Sequence, residues 1–474
     1  MFEFLNYFYN IFLYNTLFLN LILLNYYGNN EFLLNNAYNL IKKSGVVGIK
    51  FCQWFIYNKR LTSDDPRLDR FEDFYERCSF HSIEDTKKIF YRDFGIPINN
   101  YLEFISDIPI ASGSIGQVYK CKLLYNNKII ALKVKHPNIE YQVHYPIFIM
   151  NLINNFLNVF FPNHQLPLNI NQFFKILKEQ LNFNIEYHNA KHMERLFKKN
   201  DLIVIPEPIL SSDNIYISEF VDGEYFENYN NLSHYKKCKI ALAFILINRQ
   251  LLSINGFMHA DLHKGNWKVK INKNDSKKFK IILYDFGFCF SINPNYVNNL
   301  WLGWEILNKE IMAKTFLEII KQDNPNLDLD YFYEKLILIL NDILKKPIDF
   351  SVIIKKIYSY LIQEKVILTG TVINFFIIVI LLDKIIKNYN LVDNGNYEKS
   401  LTIEGLSENY FKTDYLNYIN FCDYYNAFDE VKFFLKDKLK KYSNIDDLFY
   451  GINKEKILID YSKKDKKDSV VIEI

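Results

Sequence analysis

The stretch His259-Ala-Asp261-Leu-His263-Lys-Gly265-Asn266, followed by Leu283-Tyr-Asp285-Phe286-Gly287, decides how this chain is read. Apolar runs at Trp267–Val269 and Ile281–Leu283 predict two strands of a hairpin. That hairpin sets Asn266 at the start of one strand and Asp285 at the end of the other, both facing one cleft. Asn266 and Asp285 then offer hard oxygen ligands of the kind Mg²⁺ takes, and Asp261 is placed to orient a hydroxyl and accept its proton. A chance His-Ala-Asp in a loop is the bland alternative; it weakens with each further motif found in the right order upstream.

Two such motifs exist. Ala111-Ser112-Gly113-Ser114-Ile115-Gly116-Gln-Val118 matches Gly-x-Gly-x-x-Gly-x-Val in all but the first glycine. In such a loop backbone amides approach phosphate oxygens and the valine packs over a nucleotide base. Ile129-Ile-Ala131-Leu-Lys133-Val134 reads as a strand whose lysine grips phosphates, reached from the loop by a hairpin turning at Asn126 and Asn127. Alone, the first is a β-turn and the second a solvated lysine. In this order, ahead of Asp261, Asn266 and Asp285, they predict ATP and Mg²⁺ bound in a two-lobed, protein-kinase-like α+β fold. Such a fold has a small β-rich N-lobe and a mostly helical C-lobe, preceded here by a helical extension.

Asn171–Lys199 is helical by period and carries Glu186 and Glu194, the acids best placed to pair with Lys133. The strand Ile215–Val221 ends at Asp222-Gly223, where backbone groups of Glu219 and Val221 can hold an adenine edge or simply end a strand. After Asp-Phe-Gly there is no Ala-Pro-Glu; the chain runs from Phe290 through Pro294 into helical patterns such as Trp301–Phe316. A platform for protein substrates is therefore not evident, which points to a small-molecule or lipid-linked acceptor, or to ATP hydrolysis.

The 474 residues carry 57 Lys+Arg against 54 Asp+Glu, so bulk charge gives no affinity for nucleic acid. Aromatics reach 17%, with 41 Phe and 35 Tyr, which reads as genomic nucleotide bias as much as function. The six cysteines are scattered and form neither a disulfide framework nor a zinc pattern. Phe4–Tyr27 is uncharged and longer than the about 20 residues that cross a bilayer, yet Asn6, Asn10, Asn15, Asn20 and Asn25 fall all round its helix. Both a membrane anchor and a sticky helix packed on the body are open. The segment has neither the Arg-rich character of an organelle presequence nor the basic start of a secretory signal. Val366–Leu382 reads as a buried helix, and the tail with Lys463, Lys464, Asp465, Lys466, Lys467 and Asp468 as solvated. The expected layout is a hydrophobic segment at 1–40, a helical extension at 41–103, an N-lobe at 104–222, a C-lobe at 223–440 and a charged tail at 441–474.

With these motifs in place, Lys50-Phe-Cys52-Gln53-Trp adds a resemblance to the UbiB/ADCK atypical kinase family. That family carries Lys-x-Gly-Gln on a helix before the kinase lobe, an alanine-rich phosphate loop, and His-Ala-Asp-Pro-His-Pro-Gly-Asn in the catalytic loop. Gln180-Leu-Asn182-Phe-Asn-Ile-Glu186-Tyr-His-Asn189 is similar to its Glu-x-Asp helix. The resemblance runs from about Ile41 to Asn390 and implies that Glu186, not Glu194, pairs with Lys133. It further implies that Lys50 and Gln53 gate the cleft, with Lys50 held by the Glu-x-Asp positions. Here those positions are the amides Gln180 and Asn182, Cys52 replaces the glycine and Gly113 the third alanine, so weaker autoinhibition is expected, against a reading of neutral drift. The resemblance implies a role in coenzyme Q (ubiquinone) biosynthesis at a mitochondrial inner membrane, in the matrix or at another organelle membrane. Candidate partners are a membrane lipid, a quinone precursor and coenzyme Q biosynthetic proteins. Competing readings are a non-catalytic nucleotide- or lipid-binding scaffold and a small-metabolite phosphotransferase of the aminoglycoside-kinase type.

Overall fold

A computed structural model of the chain describes residues 2–388, with breaks at 29, 62–65, 76–79, 161–169, 199–202, 230–231, 233–236, 238–239, 242, 246, 249–250, 263, 273–278, 306–307, 322–323, 344–349 and 365. The charged tail, with the end of the expected C-lobe, lies outside the described residues.

Three helices open the chain: α1 (Phe2–Tyr27), α2 (Glu31–Lys43) and α3 (Gly45–Arg60). Asn30 caps α2 by accepting the amides of Phe32 and Leu33, and Lys42 and Lys43 sit at its negative end. Tyr14, Leu17, Phe18, Leu21 and Leu24 recur at helical spacing and bury one side of α1 in the core. There Phe18 stacks on Phe51 of α3, with ring centroids 5.6 Å apart. The opposite side shows Phe8, Phe12, Leu19 and Tyr26 to solvent. Of the helix's asparagines, Asn20 is buried and Asn15 exposed. No helix among the described residues is long and apolar enough to cross a membrane. Cys52 points into the apolar seam lined by Leu21, Ala37, Ile56 and Phe71. The cysteine that departs from the family glycine is thus a core residue of the helical extension.

The chain then enters α4 (Ile83–Phe94) and a sheet. Its strands are β1 (Leu102–Phe104), β2 (Ala111–Ser112), β3 (Gly116–Leu123) and β4 (Ile129–Lys135). After α5 (Ile139–Phe160), α6 (Ile170–Gln180), α7 (Phe183–Phe197) and β5 (Ile203–Val204), β6 (Pro208–Ser211) and β7 (Ile215–Glu219) complete it in the order β1-β3-β4-β7-β6, with β2 on β3. Alternation fixes its faces. Tyr119, Cys121, Ile130, Leu132 and Ile217 pack with Ile89 and Phe90 of α4 in a core of their own. Val118, Lys133 and Tyr216 lie side by side in the register and share the other face. The β3–β4 hairpin turns at Asn127, in the left-handed region at φ 59°.

The second lobe holds β8 (Phe257–His259), β9 (Trp267–Ile271), β10 (Phe279–Leu283) and β11 (Cys289–Ser291). β5, β10 and β9 form one small sheet and β8 pairs with β11. Helices α8 (Pro294–Glu305), α9 (Lys309–Lys321), α10 (Leu329–Ile343), α11 (Phe350–Gln363) and α12 (Gly370–Asn388) follow. α12 buries Val372, Phe375, Phe376, Val379 and Leu382, as the apolar run predicted, although residues 366–369 precede the helix.

Three boundaries differ from the sequence reading. The Asn171–Lys199 pattern is two helices, because the Asn182 side chain accepts the Asn184 amide and restarts the helix as α7. Trp301–Phe316 likewise spans two helices, with Asn308 capping the second through the amides of Glu310 and Ile311. The strand expected to reach Val221 stops at Glu219. In each case an apolar period continued across a polar residue that caps or ends an element.

Candidate active site

Lys133 stands at the centre of the cleft. Its Nζ lies 2.7 and 2.9 Å from the two carboxylate oxygens of Glu186 and 3.2 Å from Oδ1 of Asp285. β4 supplies the lysine, α7 the glutamate and the turn after β10 the aspartate. Glu194, the other acid considered, pairs instead with Lys191 one turn away, at 3.3 Å. Asn189 reaches from α7 to donate to the Phe286 carbonyl at 2.9 Å, tying the glutamate helix to the Asp-Phe-Gly turn.

The three charges are unequal. Glu186 is almost fully buried, with 3% of its side chain exposed, whereas Asp285 is 48% exposed. Burial therefore pushes the Glu186 carboxyl up to about 7 against the pull of Lys133. Asp285 is held below its usual range, because the Lys133 and Lys50 cations outweigh its partial desolvation. Lys133 is raised, its two acids prevailing over burial. Lys50 of α3 thus acts electrostatically on both cleft acids. Among the described residues no hydrogen bond joins it to Gln180 or Asn182, and Asn182 spends its side chain capping α7. Gln53 is buried on the same helix.

A raised carboxyl binds a proton in the folded state that the unfolded chain releases near pH 4.5. Its contribution to stability is greatest below that pH and is lost as pH rises toward about 7. Relative to Glu186→Gln, the wild type is expected to lose stability between pH 5 and 7.5, measured by denaturant unfolding at each pH. A flat difference would mean that Glu186 stays ionised throughout.

Opposite the lysine, the catalytic loop is fixed by backbone bonds. The Tyr284 amide donates to the Asn266 carbonyl at 2.9 Å, and Leu283 pairs with Trp267, so Asn266 and Asp285 flank one hairpin end. Asn266 donates its amide to the Asp261 carbonyl at 2.7 Å, leaving its Oδ1 as the metal-type donor. Asp285 adopts φ 56°, a left-handed conformation that Asp tolerates better than most residues and that recurs where a site stores strain. Buried His259, to which motif spacing assigns no contact, is the brace between both halves. It accepts the Asp261 amide at 3.1 Å and donates to the Tyr284 carbonyl at 2.9 Å. Two protein oxygens, Asn266 Oδ1 and an Asp285 carboxylate oxygen, suit a Mg²⁺ that takes its remaining ligands from phosphates and water. No cluster of three or more His, Cys, Asp or Glu able to cage a metal occurs among the described residues.

The phosphate-loop residues lie at the sheet's open end. The Gly113 amide donates to the Gly116 carbonyl at 3.0 Å, closing a tight turn, and Ser112, Ser114 and Ile115 are buried. The two glycines serve different ends. A Cβ on Gly116 would come within 2.5 Å of the Val134 carbonyl of β4, whereas one on Gly113 would meet nothing closer than 3.9 Å. Gly116 is therefore required by strand packing. Gly116→Ala is expected to cost about 2 kcal/mol, as overpacking does, and Gly113→Ala less than about 0.5 kcal/mol in the free protein, compared by denaturant unfolding.

At the hinge the Glu219 amide donates to the Glu207 carbonyl at 2.8 Å, and the Val221 carbonyl accepts the Tyr284 hydroxyl at 2.9 Å. Among the described residues the Val221 amide makes no hydrogen bond. Gly223 passes so close to β9 and β10 that a Cβ would lie 2.7 Å from Ile282.

Comparison with known proteins agrees with this architecture. The ABC1 atypical kinase-like domain matches residues 74–315, just over half the chain and less than the 41–390 read from the motifs. Relatives include a probable serine/threonine-protein kinase, abkC, of Dictyostelium discoideum, 28% identical over 50% of this chain and 35% of the relative. AarF domain-containing protein kinase 1 of Mus musculus is 26% identical over 44% and 40%. ABC1 family protein MCP2 of Saccharomyces cerevisiae is 26% identical over 45% and 40%. The matches thus span less than half of these relatives' length. Among solved structures, an Rv3197–erythromycin complex from Mycobacterium tuberculosis is 15% identical with a TM-score of 0.47, over 69% of this chain and 82% of that one. A Rio2 kinase–ADP/Mg²⁺–phosphoaspartate complex from Chaetomium thermophilum is 12% identical with a TM-score of 0.28, over 64% and 76%. With its two-lobed kinase-like fold and its family match, the chain belongs to the ABC1 atypical kinase-like family, the UbiB/ADCK group.

Proposed function

We propose that this chain binds Mg-ATP in the cleft and transfers or hydrolyses its terminal phosphoryl group. The observation that carries this is Lys133, held by Glu186 on one side and touching Asp285 on the other, so that one cation serves both a phosphate clamp and a metal-ligand carboxylate. Bound magnesium would supply charge neutralisation on the phosphates, held by Asn266 and Asp285. The chain's own residues do the rest. Lys133 orients the α- and β-phosphates, and Glu186 keeps that lysine aimed. The loop Ala111–Val118 covers the phosphates with Gly113 and its neighbours, and Val118 with the Val221 amide receives the base. Asp261, next to the Asn266 amide, orients the attacking hydroxyl or water and takes its proton. Lys50, with Gln53 one turn on along α3, gates the cleft in this reading, and the effect of Lys50 on Glu186 and Asp285 supports it.

The setting we propose is a membrane surface, in support of coenzyme Q biosynthesis at an organelle membrane, with mitochondria favoured by the family resemblance. A lipid or quinone precursor is the acceptor or activator. The exposed face of α1, with Phe8, Phe12, Leu19 and Tyr26 between 53% and 76% exposed, supports contact with an apolar or interfacial environment. The test is ATP turnover by the full chain alone, with anionic vesicles, with a quinone-like phenol and with a hydrophilic amino sugar. Stimulation by vesicles or phenol supports the reading. Stimulation by the amino sugar alone would move it to a metabolite kinase, and no turnover under any condition would leave a non-catalytic nucleotide- or lipid-binding scaffold.

A further inference from the structure

The phosphate loop is gripped from behind by a residue that no motif includes. His136, the first residue after β4, donates its backbone amide to the Ile115 carbonyl at 2.9 Å. Its ring Nε2 lies 3.0 Å from the Gly113 carbonyl. One histidine therefore holds two carbonyls of the loop Ala111–Val118. A carbonyl only accepts, so Nε2 must carry the proton.

The rest of the ring is equally constrained. His136 Nδ1 lies 2.8 Å from Nδ1 of His81, the residue before the Ser82 cap of α4. A single proton fits between two such nitrogens. His81 Nε2 is 2.9 Å from the Thr86 hydroxyl, which is 3.3 Å from the Tyr119 hydroxyl. Gln117 donates to that phenol at 2.6 Å, and its carbonyl oxygen accepts the His81 amide at 2.9 Å, which fixes the amide's orientation. With both rings neutral, each group has one consistent role. Thr86 donates to His81, His81 to His136 and His136 to Gly113, while Gln117 donates to Tyr119 beside them.

We propose that His136 is a positioning residue of the phosphate loop, and that His81 sets its grip by donating the one shared proton and so fixing the Nε2–H tautomer. The functional consequence rests on the nucleotide reading above; the grip on the loop does not. Burial holds both rings below the ordinary histidine range, His81 at about 4, which keeps the relay neutral near pH 7. Besides the two rings, the charged group acting on His81 is Asp85 of α4, whose effect is opposed and outweighed. The relay makes the seating of α4 against the sheet and the shape of the phosphate loop one mechanical unit.

Two readouts on the full chain test this. Amide hydrogen exchange without nucleotide is followed in His136→Leu and His81→Leu. Exchange across 111–118 should rise about tenfold in His136→Leu and by a smaller factor in His81→Leu, while 129–135 keeps wild-type protection. Unchanged loop exchange, or an equal rise across β4, would overturn the proposal, the second because it marks general loosening. Nitrogen chemical shifts of the His136 ring should report the Nε2–H tautomer in wild type and a mixed population in His81→Leu; an Nδ1–H tautomer in wild type would also overturn it. Mg-ATP affinity should then fall five- to tenfold in His136→Leu. If wild type binds no Mg-ATP, the nucleotide reading fails while exchange and tautomer still decide the grip.

Discussion

Asp285→Asn is expected to lower ATP turnover about 1000-fold, a loss of about 4 kcal/mol in transition-state stabilisation. The argument is the division of labour at this side chain. Its Oδ1 receives Lys133 and the Gly287 amide at 3.2 and 3.3 Å, and the exposed part of the carboxylate faces the cleft. The substitution keeps the shape and the left-handed backbone, since Asn adopts φ 56° as readily as Asp. It removes only the charge that pairs with Lys133 and that the proposed metal site requires. Thermal unfolding of the free protein should shift by no more than a degree or two, so turnover and fold separate cleanly. Turnover within tenfold of wild type would show that the carboxylate holds no essential metal.

Lys133→Met is expected to act on both fold and activity. Removing the lysine leaves Glu186, at 3% side-chain exposure, with no ion-pair partner at hydrogen-bond distance among the described residues. Stranding a buried charge costs about 3 kcal/mol. Glu186 can escape part of that cost by taking a proton, because burial already raises its carboxyl to about 7. The destabilisation should therefore be larger at pH 8 than at pH 6. The sign follows from linkage, since the variant's folded state binds the extra proton. Denaturant unfolding at the two pH values checks it, and a cost independent of pH would place Glu186 as ionised even without its partner. Turnover should fall at least 100-fold, as the phosphates lose their positioning cation.

Much of this site was legible because its chemistry is written in short ordered stretches. The Lys133 strand, the hairpin from Asn266 to Asp285 and the turn at Asn127 need only alternation and turn residues to be placed. The Glu186 pairing was narrowed by resemblance, because helical period alone gave Glu194 equal standing. What the sequence hid was set by tertiary contacts. Gly116 looks like a phosphate-loop glycine, but the Val134 carbonyl of the neighbouring strand dictates it. Cys52 looks like a departure at the cleft, but its side chain fills the seam between the opening helices. His259 joins the catalytic loop to the Tyr284 carbonyl across a sheet gap that no spacing reveals. His81 and His136 meet although 55 positions separate them. Helix ends were misplaced where Asn182 and Asn308 cap, since an apolar period carries no record of which asparagine turns inward to its own backbone.

A magnesium-dependent nucleotide site is tested most directly by thermal unfolding of the full chain with ATP, once with magnesium and once with a chelator. At 100 times Kd a ligand adds about 2.7 kcal/mol, which raises Tm by at least a degree or two in a domain of this size. A rise with Mg-ATP, absent with ATP and chelator and absent in Asp285→Asn, is the predicted result. Unchanged unfolding of a folded wild type at saturating Mg-ATP would contradict it, and the kinase-like cleft would then be a shape kept for binding something else.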